Sequence, residues 1–209
     1  MLKKPFVIAA FFIIISQFGL TAARQGQQTQ QPERQDQRRQ VDNRAASSRN
    51  PDADRFQSRL AEQIRSRLVT LPYYDVFDWL EGDIQADGTV VLRGQVVRPT
   101  TKSGAEGRVR VVEGVERVVN EIEVLPVSQN DDRLRMALYR AIFSYNSPLF
   151  RYATRAVPPI HIIVRNGRAT LKGVVARQSD SQLAYTRARG VPGLFEVKNE
   201  LRVENSDEH

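Results

Sequence analysis

The sequence predicts an α+β protein built from two copies of one small αββαβ module. Each copy places two helices on a three-stranded mixed sheet, and both follow a signal peptide and a disordered linker. Three observations predict this. Residues 88–124 and 167–203 align without a gap at an offset of 79, with 14 identities in 37 positions. A fixed-register match that keeps its glycines marks a duplicated structural unit. Ahead of each copy, apolar residues recur every fourth position, which is the stripe of a half-buried helix. Each copy then opens on a turn dipeptide between apolar runs, Asp87-Gly88 and Asn166-Gly167.

In chain order, residues 1–23 read as a secretory signal. Lys3 and Lys4 form the positive end, Phe6 to Leu20 the apolar run, and Thr21-Ala22-Ala23 the small residues for cleavage. The run is shorter than a spanning helix needs, and no cysteine follows that could carry a lipid. The expectation is a cleaved, exported, periplasmic protein that is not a lipoprotein. Residues 24–53 are rich in Gln, Arg, Asn and Ser, with little apolar surface to offset chain entropy, and are expected to form a disordered tether.

The first domain is expected over 54–126. Asp54 caps a helix with Gln57 at the capping-box position, and Phe56, Leu60, Ile64 and Leu68 form its stripe. Leu80, Gly82, Ile84 and Ala86 mark the first strand. They run one residue out of phase with the second copy, which a bulge near the turn would reconcile. Thr89–Val97 returns. Thr100 or Thr101 caps the second helix, with Ala105, Val109 and Val112 inward, and Arg117–Val124 closes the sheet.

A short linker, 126–130, implies that the domains touch. The second domain is expected over 131–204. Asp131 or Asp132 caps a helix striped by Leu134, Leu138 and Ile142. Ile160, Ile162 and Val164 alternate with His161, Ile163 and Arg165. Ser179 and Gln182 form a capping box ahead of Ala184, Ala188 and Val191. Phe195–Val203 is the last strand, and residues 205–209 are a frayed tail. Gly114 and Gly193 are expected to end the helices.

The repeats resemble the BON domain. The residues that carry the resemblance are Gly88, Leu92, Gly94 and Val96, then Gly114, Val115, Val118 and Asn120. In the second copy they are Gly167, Leu171, Gly173 and Val175, then Gly193, Val197 and Asn199, with Leu194 in place of Val115. The tandem layout behind a signal peptide is similar to osmotically inducible periplasmic proteins. The resemblance implies an envelope protein without catalytic activity that associates with phospholipid surfaces; some relatives dock proteins or bind ions. The signature residues are turn glycines and core aliphatics, so they carry the fold and transfer no binding site.

Composition removes several chemistries. There is no cysteine, hence no disulfide, thiol catalysis or thiolate metal site, and only two histidines, His161 and His209. No metal, cofactor or catalytic group is expected. Gly167–Gly173 lacks the Gly-Lys-Ser/Thr end of a phosphate loop. His161, on an apolar strand, reads as a partly buried or outward residue. Asn120 and Asn199 read as residues that bond nearby backbone.

Charge separates the two halves. Residues 55–128 hold 10 basic and 11 acidic residues, whereas 129–209 hold 13 and 8. Between Arg133 and Ser179 there are nine Lys or Arg and no acid, interleaved with aromatics. One reading is a solvated face over an aromatic core. The other is a contact for anionic phospholipid, with Arg133, Arg140, Arg151 and Arg155 as grips and Phe150 and Tyr152 as interfacial anchors. The rival partner is an envelope protein held at a sheet edge or domain groove. Export argues against nucleic acid, and the oligomeric state is not legible.

Overall fold

A computed structural model describes residues 6–7, 51–155 and 157–204. Apart from residues 6–7, the expected signal falls outside these residues, as do most of the tether and the tail. The chain divides into two compact units, Phe12–Arg59 and the rest, Met1–Phe11 with Leu60–His209. In the smaller unit the described residues are 51–59, the beginning of a helix. Both repeats lie in the larger unit.

The elements are β1 (Phe6–Val7), α1 (Pro51–Val69), β2 (Trp79–Ile84), β3 (Thr89–Val96), α2 (Pro99–Arg110), β4 (Arg117–Asn120) and β5 (Glu123–Val124). The second repeat follows as α3 (Gln129–Ile142), α4 (Phe150–Ala153), β6 (Ile160–Arg165), β7 (Arg168–Val175), α5 (Gln178–Arg189) and β8 (Glu196–Val203). Each sheet joins an antiparallel hairpin to a parallel last strand. The order is β6-β7-β8 in the second repeat, and in the first β1-β2-β3-β4 with β5 also on β3. The mixed αββαβ fold is thus the one the sequence predicts.

The hairpins explain the phase difference. In the second repeat Arg165 pairs with Arg168, leaving Asn166-Gly167 as a two-residue turn. In the first, Ile84 pairs with Val90, and the Gly88 N–H returns to the Gln85 carbonyl at 3.1 Å. The extra residue sits in the turn, where Gly88 at φ +77° forms the bulge, as expected.

Mid-strand, Gly94 and Gly173 lie at φ +127° and +125°. A Cβ there would stand 1.9 Å from the carbonyl oxygen of Trp79 or Pro159 on the neighbouring strand. The glycine lets the hairpin strands close at this point, a conformation L side chains rarely adopt.

The cores follow the stripes. Leu60, Ile64, Leu68, Ala105 and Val109 are buried against β3, and Leu134, Leu138, Ile142, Ala184 and Ala188 against β7. Phe56 departs from its stripe and is 55% exposed. Asn120 and Asn199 fasten the last strand to the second helix. Asn120 Nδ2 donates to the Lys102 carbonyl at 3.0 Å, Asn199 Nδ2 to Ser181 Oγ at 3.0 Å, and each side-chain oxygen accepts the N–H two residues on.

The caps differ from expectation. α1 starts at Pro51, ahead of Asp54 and inside the segment expected to be tether. Arg98 and Arg177 precede α2 and α5 without a side-chain bond, so Thr100, Thr101, Ser179 and Gln182 lie inside the helices. Ser128 caps α3, its oxygen accepting the Asp131 N–H at 3.2 Å. Asp131 is instead buried and accepts the N–H groups of Asn166 and Gly167, both at 2.8 Å. There the carboxylate accepts two charge-assisted bonds at once, while the Ser128 hydroxyl serves the cap. Gly114 and Gly193 lie past the helix ends at Val111 and Gly190 and turn the chain into the last strands, at φ +91° and +89°.

Substituting Gly173 by alanine should lower stability by at least about 3 kcal/mol, combining strained φ with a backbone clash. Urea unfolding of Gly173→Ala measures this; a midpoint unchanged from wild type would refute the close-approach reading.

Candidate functional site

Two regions bear on function: the basic face of the second repeat and the junction between repeats. The basic face begins on α3. Its inward stripe leaves Arg133, Met136 and Arg140 exposed on the opposite side. Positions seven apart on a helix share one face, so the two arginines stand in line. Neither has an ion pair among the described residues.

After α3, Ser147 turns the chain into the short α4. Tyr145, 84% exposed, meets Phe150 edge to face at 5.3 Å between ring centres. Phe150 is half-buried. Arg151 extends over the Tyr152 ring and pairs with Asp180 at 2.5 Å. Arg155 lies 5.9 Å above the same ring.

Tyr152 is not a surface anchor. It is 3% exposed, its hydroxyl donates to Asp180 at 2.8 Å, and the Ala176 N–H donates to that hydroxyl at 3.0 Å. Its phenol closes the gap between α4, α5 and the end of β7. Tyr145 is the aromatic that reaches solvent, a residue the sequence placed among the interleaved aromatics without singling it out. The acid-free stretch is also less cationic in space than in sequence. Asp180 neutralises Arg151. Arg135 is buried, donating to Asp132 and to the Val164 carbonyl. The expected grips therefore divide: Arg133, Arg140 and Arg155 are exposed without an ion pair among the described residues, Arg155 lying over the Tyr152 ring, and Arg151 is engaged.

The junction is built by residues 74–79 of the first repeat. The Ile162 N–H donates to the Val76 carbonyl at 2.8 Å, which ties β6 to the first repeat. Val76 and Phe77 join the core of the second repeat. Trp79, Leu125 and Ile163 form a separate apolar cluster, and Arg165 pairs with Glu123 at 2.7 Å.

His161 lies at the centre, fully buried, which corrects the partly buried or outward reading. Its ring is 5.2 Å from Trp79, edge-on, and 5.7 Å from Tyr74. Both ring nitrogens lack a hydrogen-bond partner, although the backbone of Asp78 and Asp75 is close enough to favour the charged form slightly. Burial dominates and pushes the imidazole down to about 4. Asp78 is 1% exposed and accepts the Val97 N–H at 2.7 Å. Burial pushes its carboxyl up to about 6, against the pull of that bond.

The repeats solve one problem in two ways here. The second satisfies the Ala176 N–H with a tyrosine hydroxyl. The first satisfies the corresponding Val97 N–H with Asp78, leaving Tyr74 to pack against His161. A cleft of about 200 Å³ opens beside Asp78, between Arg98 and Arg135. Among the described residues no cluster of His, Asp or Glu has metal-ligand geometry. Nor is any described helix long and apolar enough to cross a membrane.

The BON domain family matches residues 57–126 and 146–205. No curated protein matches the chain. Among solved structures, a structural protein of the type III secretion system of Chlamydia trachomatis, CdsD, is similar at 12% identity with a TM-score of 0.29. That match covers 71% of this chain and 93% of the other. Its C-terminal domain matches at 12% identity and TM-score 0.29, covering 69% and 96%.

The two junction groups should oppose one another in pH dependence. His161 binds its proton less readily when folded, so its contribution is present above pH 6.5 and is lost as pH falls toward 4. Asp78 holds its proton more readily when folded, so its contribution is present below pH 3.8 and is lost as pH rises toward 6. Between 4 and 6 the slopes cancel. Urea unfolding across this range should show Asp78→Asn losing stability relative to wild type as pH falls, by at most about 1.4 kcal/mol per unit. His161→Phe should gain relative to wild type over the same range. Parallel curves for all three proteins would exclude the pairing.

Proposed function

The chain belongs to the BON-domain family, with two copies of the domain, and on that premise we propose that it is an exported, non-enzymatic envelope protein. In this reading the second domain associates reversibly with anionic phospholipid surfaces, in the service of osmotic or envelope stress protection. The single observation that supports the contact is the exposed pair Arg133 and Arg140 on α3, continued by the exposed Tyr145 beside Phe150. Cations near an anionic bilayer contribute about 1 kcal/mol each, and burying an aromatic about 1.5–3 kcal/mol. Three arginines without an ion pair among the described residues and one aromatic give attachment that salt reverses, unlike that of a spanning protein.

The expected absence of cofactor and metal belongs to the same reading. So does the periplasmic location, which rests on the character of residues 1–23.

Liposome flotation tests the contact. The chain should float with vesicles containing phosphatidylglycerol and not with phosphatidylcholine alone. Arg133→Glu with Arg140→Glu should abolish flotation, and Tyr145→Ser should weaken it about ten-fold. Equal flotation with both lipids, or none of these losses, would remove the proposal.

A further inference from the structure

Four outer edges border the two sheets, and three are short, covered or broken. Beyond β2 the outer strand is β1, only two residues long. The β6 edge gives its Ile162 N–H to Val76. The last strand of the first repeat is interrupted, with Glu121 and Ile122 between β4 and β5. The β8 edge is different. It runs unbroken for eight residues and pairs on one side, with β7. Among the described residues no strand pairs with its outer side. A long bare edge is a template for another strand.

The residues of β8 indicate which strand fits. They read Glu-Val-Lys-Asn-Glu-Leu-Arg-Val, so the face turned from α5 carries Glu196, Lys198, Glu200 and Arg202, alternating in sign. Antiparallel pairing of β8 with a second β8, about a two-fold axis at Asn199, sets Glu196 opposite Arg202 and Lys198 opposite Glu200. Each pair occurs twice. Val197 then faces Leu201 on the other side of the sheet. Sliding by two residues one way opposes Glu200 to Glu200, and the other way Lys198 to Lys198. Opposite charges across strands stabilise and like charges destabilise, so the alternation selects against the adjacent registers. The corresponding strand of the first repeat has Val119 where β8 has Lys198, and in the same register would oppose only Arg117 to Glu123.

Within one chain Lys198 and Lys172 both reach Glu200, and Arg168 reaches Glu196. Arg202 has no ion pair among the described residues. Asn199 Oδ1 already accepts the Leu201 N–H at 3.2 Å, so the new ladder closes on either side of that amide.

We propose that β8 is a homotypic docking edge: two copies of this chain join β8 to β8, antiparallel about Asn199, into one six-stranded sheet. The partner is a second copy because the strand is complementary to itself, the condition for a two-fold interface.

Sedimentation equilibrium on the full chain, purified as it matures in the cell, tests this. Wild type should form a concentration-dependent dimer. Glu196→Arg should oppose arginine to Arg202, and Arg202→Glu should oppose glutamate to Glu196, each weakening the dimer by about ten-fold or more. Mixing these two variants should restore dimerisation, since both pairs in the mixed dimer are again complementary. Circular dichroism should show both variants folded, because the substituted residues are exposed. A protein monomeric at all concentrations, reversals without effect, or a mixture no better than its components would each overturn the proposal.

Discussion

One backbone hydrogen bond, from the Ile162 N–H to the Val76 carbonyl, fixes how the two repeats are used. It places residues 74–79 against β6 and thereby buries a strand on both faces. Everything at the junction follows from that burial. Ile163 turns from a solvent-side position into part of an apolar cluster with Trp79 and Leu125, and His161 becomes fully enclosed. An imidazole with no hydrogen-bond partner is tolerated there because it stays neutral and packs as a ring between Trp79 and Tyr74.

Duplication explains the fold, and divergence explains where the two copies differ. The turn glycines, the close-approach glycines and the strand-fastening asparagines recur in both repeats because they satisfy backbone geometry that any copy must satisfy. The first repeat uses Asp78 where the second uses a buried tyrosine hydroxyl, and its last strand is interrupted. The second has the hydroxyl, an uninterrupted β8 and the solvent-facing arginines of α3. Its polar outer surfaces, α3 and β8, lie on different elements, so the proposed surface contact and the proposed self-association would draw on separate residues.

Much of the fold was legible because it is local. Periods of four and two gave the helices and strands, and Asn166-Gly167 gave the hairpin. Helix caps were not legible, because capping competes with distant partners. Asp131 has the right chemistry for a cap and is drawn instead to a turn 35 residues away. The site was legible in part. Arg133 and Arg140 follow from helix period, but no local rule tells Tyr145 from Tyr152. Asp180, 28 residues along the chain, decides it by holding the Tyr152 hydroxyl in the core. The junction had one signal in the sequence, the run Ile-His-Ile-Ile-Val over 160–164. A strand apolar on both faces is a strand covered on both faces.

If the shared junction governs the molecule, the repeats must unfold together. Differential scanning calorimetry measures this directly. The structure predicts one transition whose calorimetric and van't Hoff enthalpies agree. Two separable transitions, one for each repeat, would contradict it.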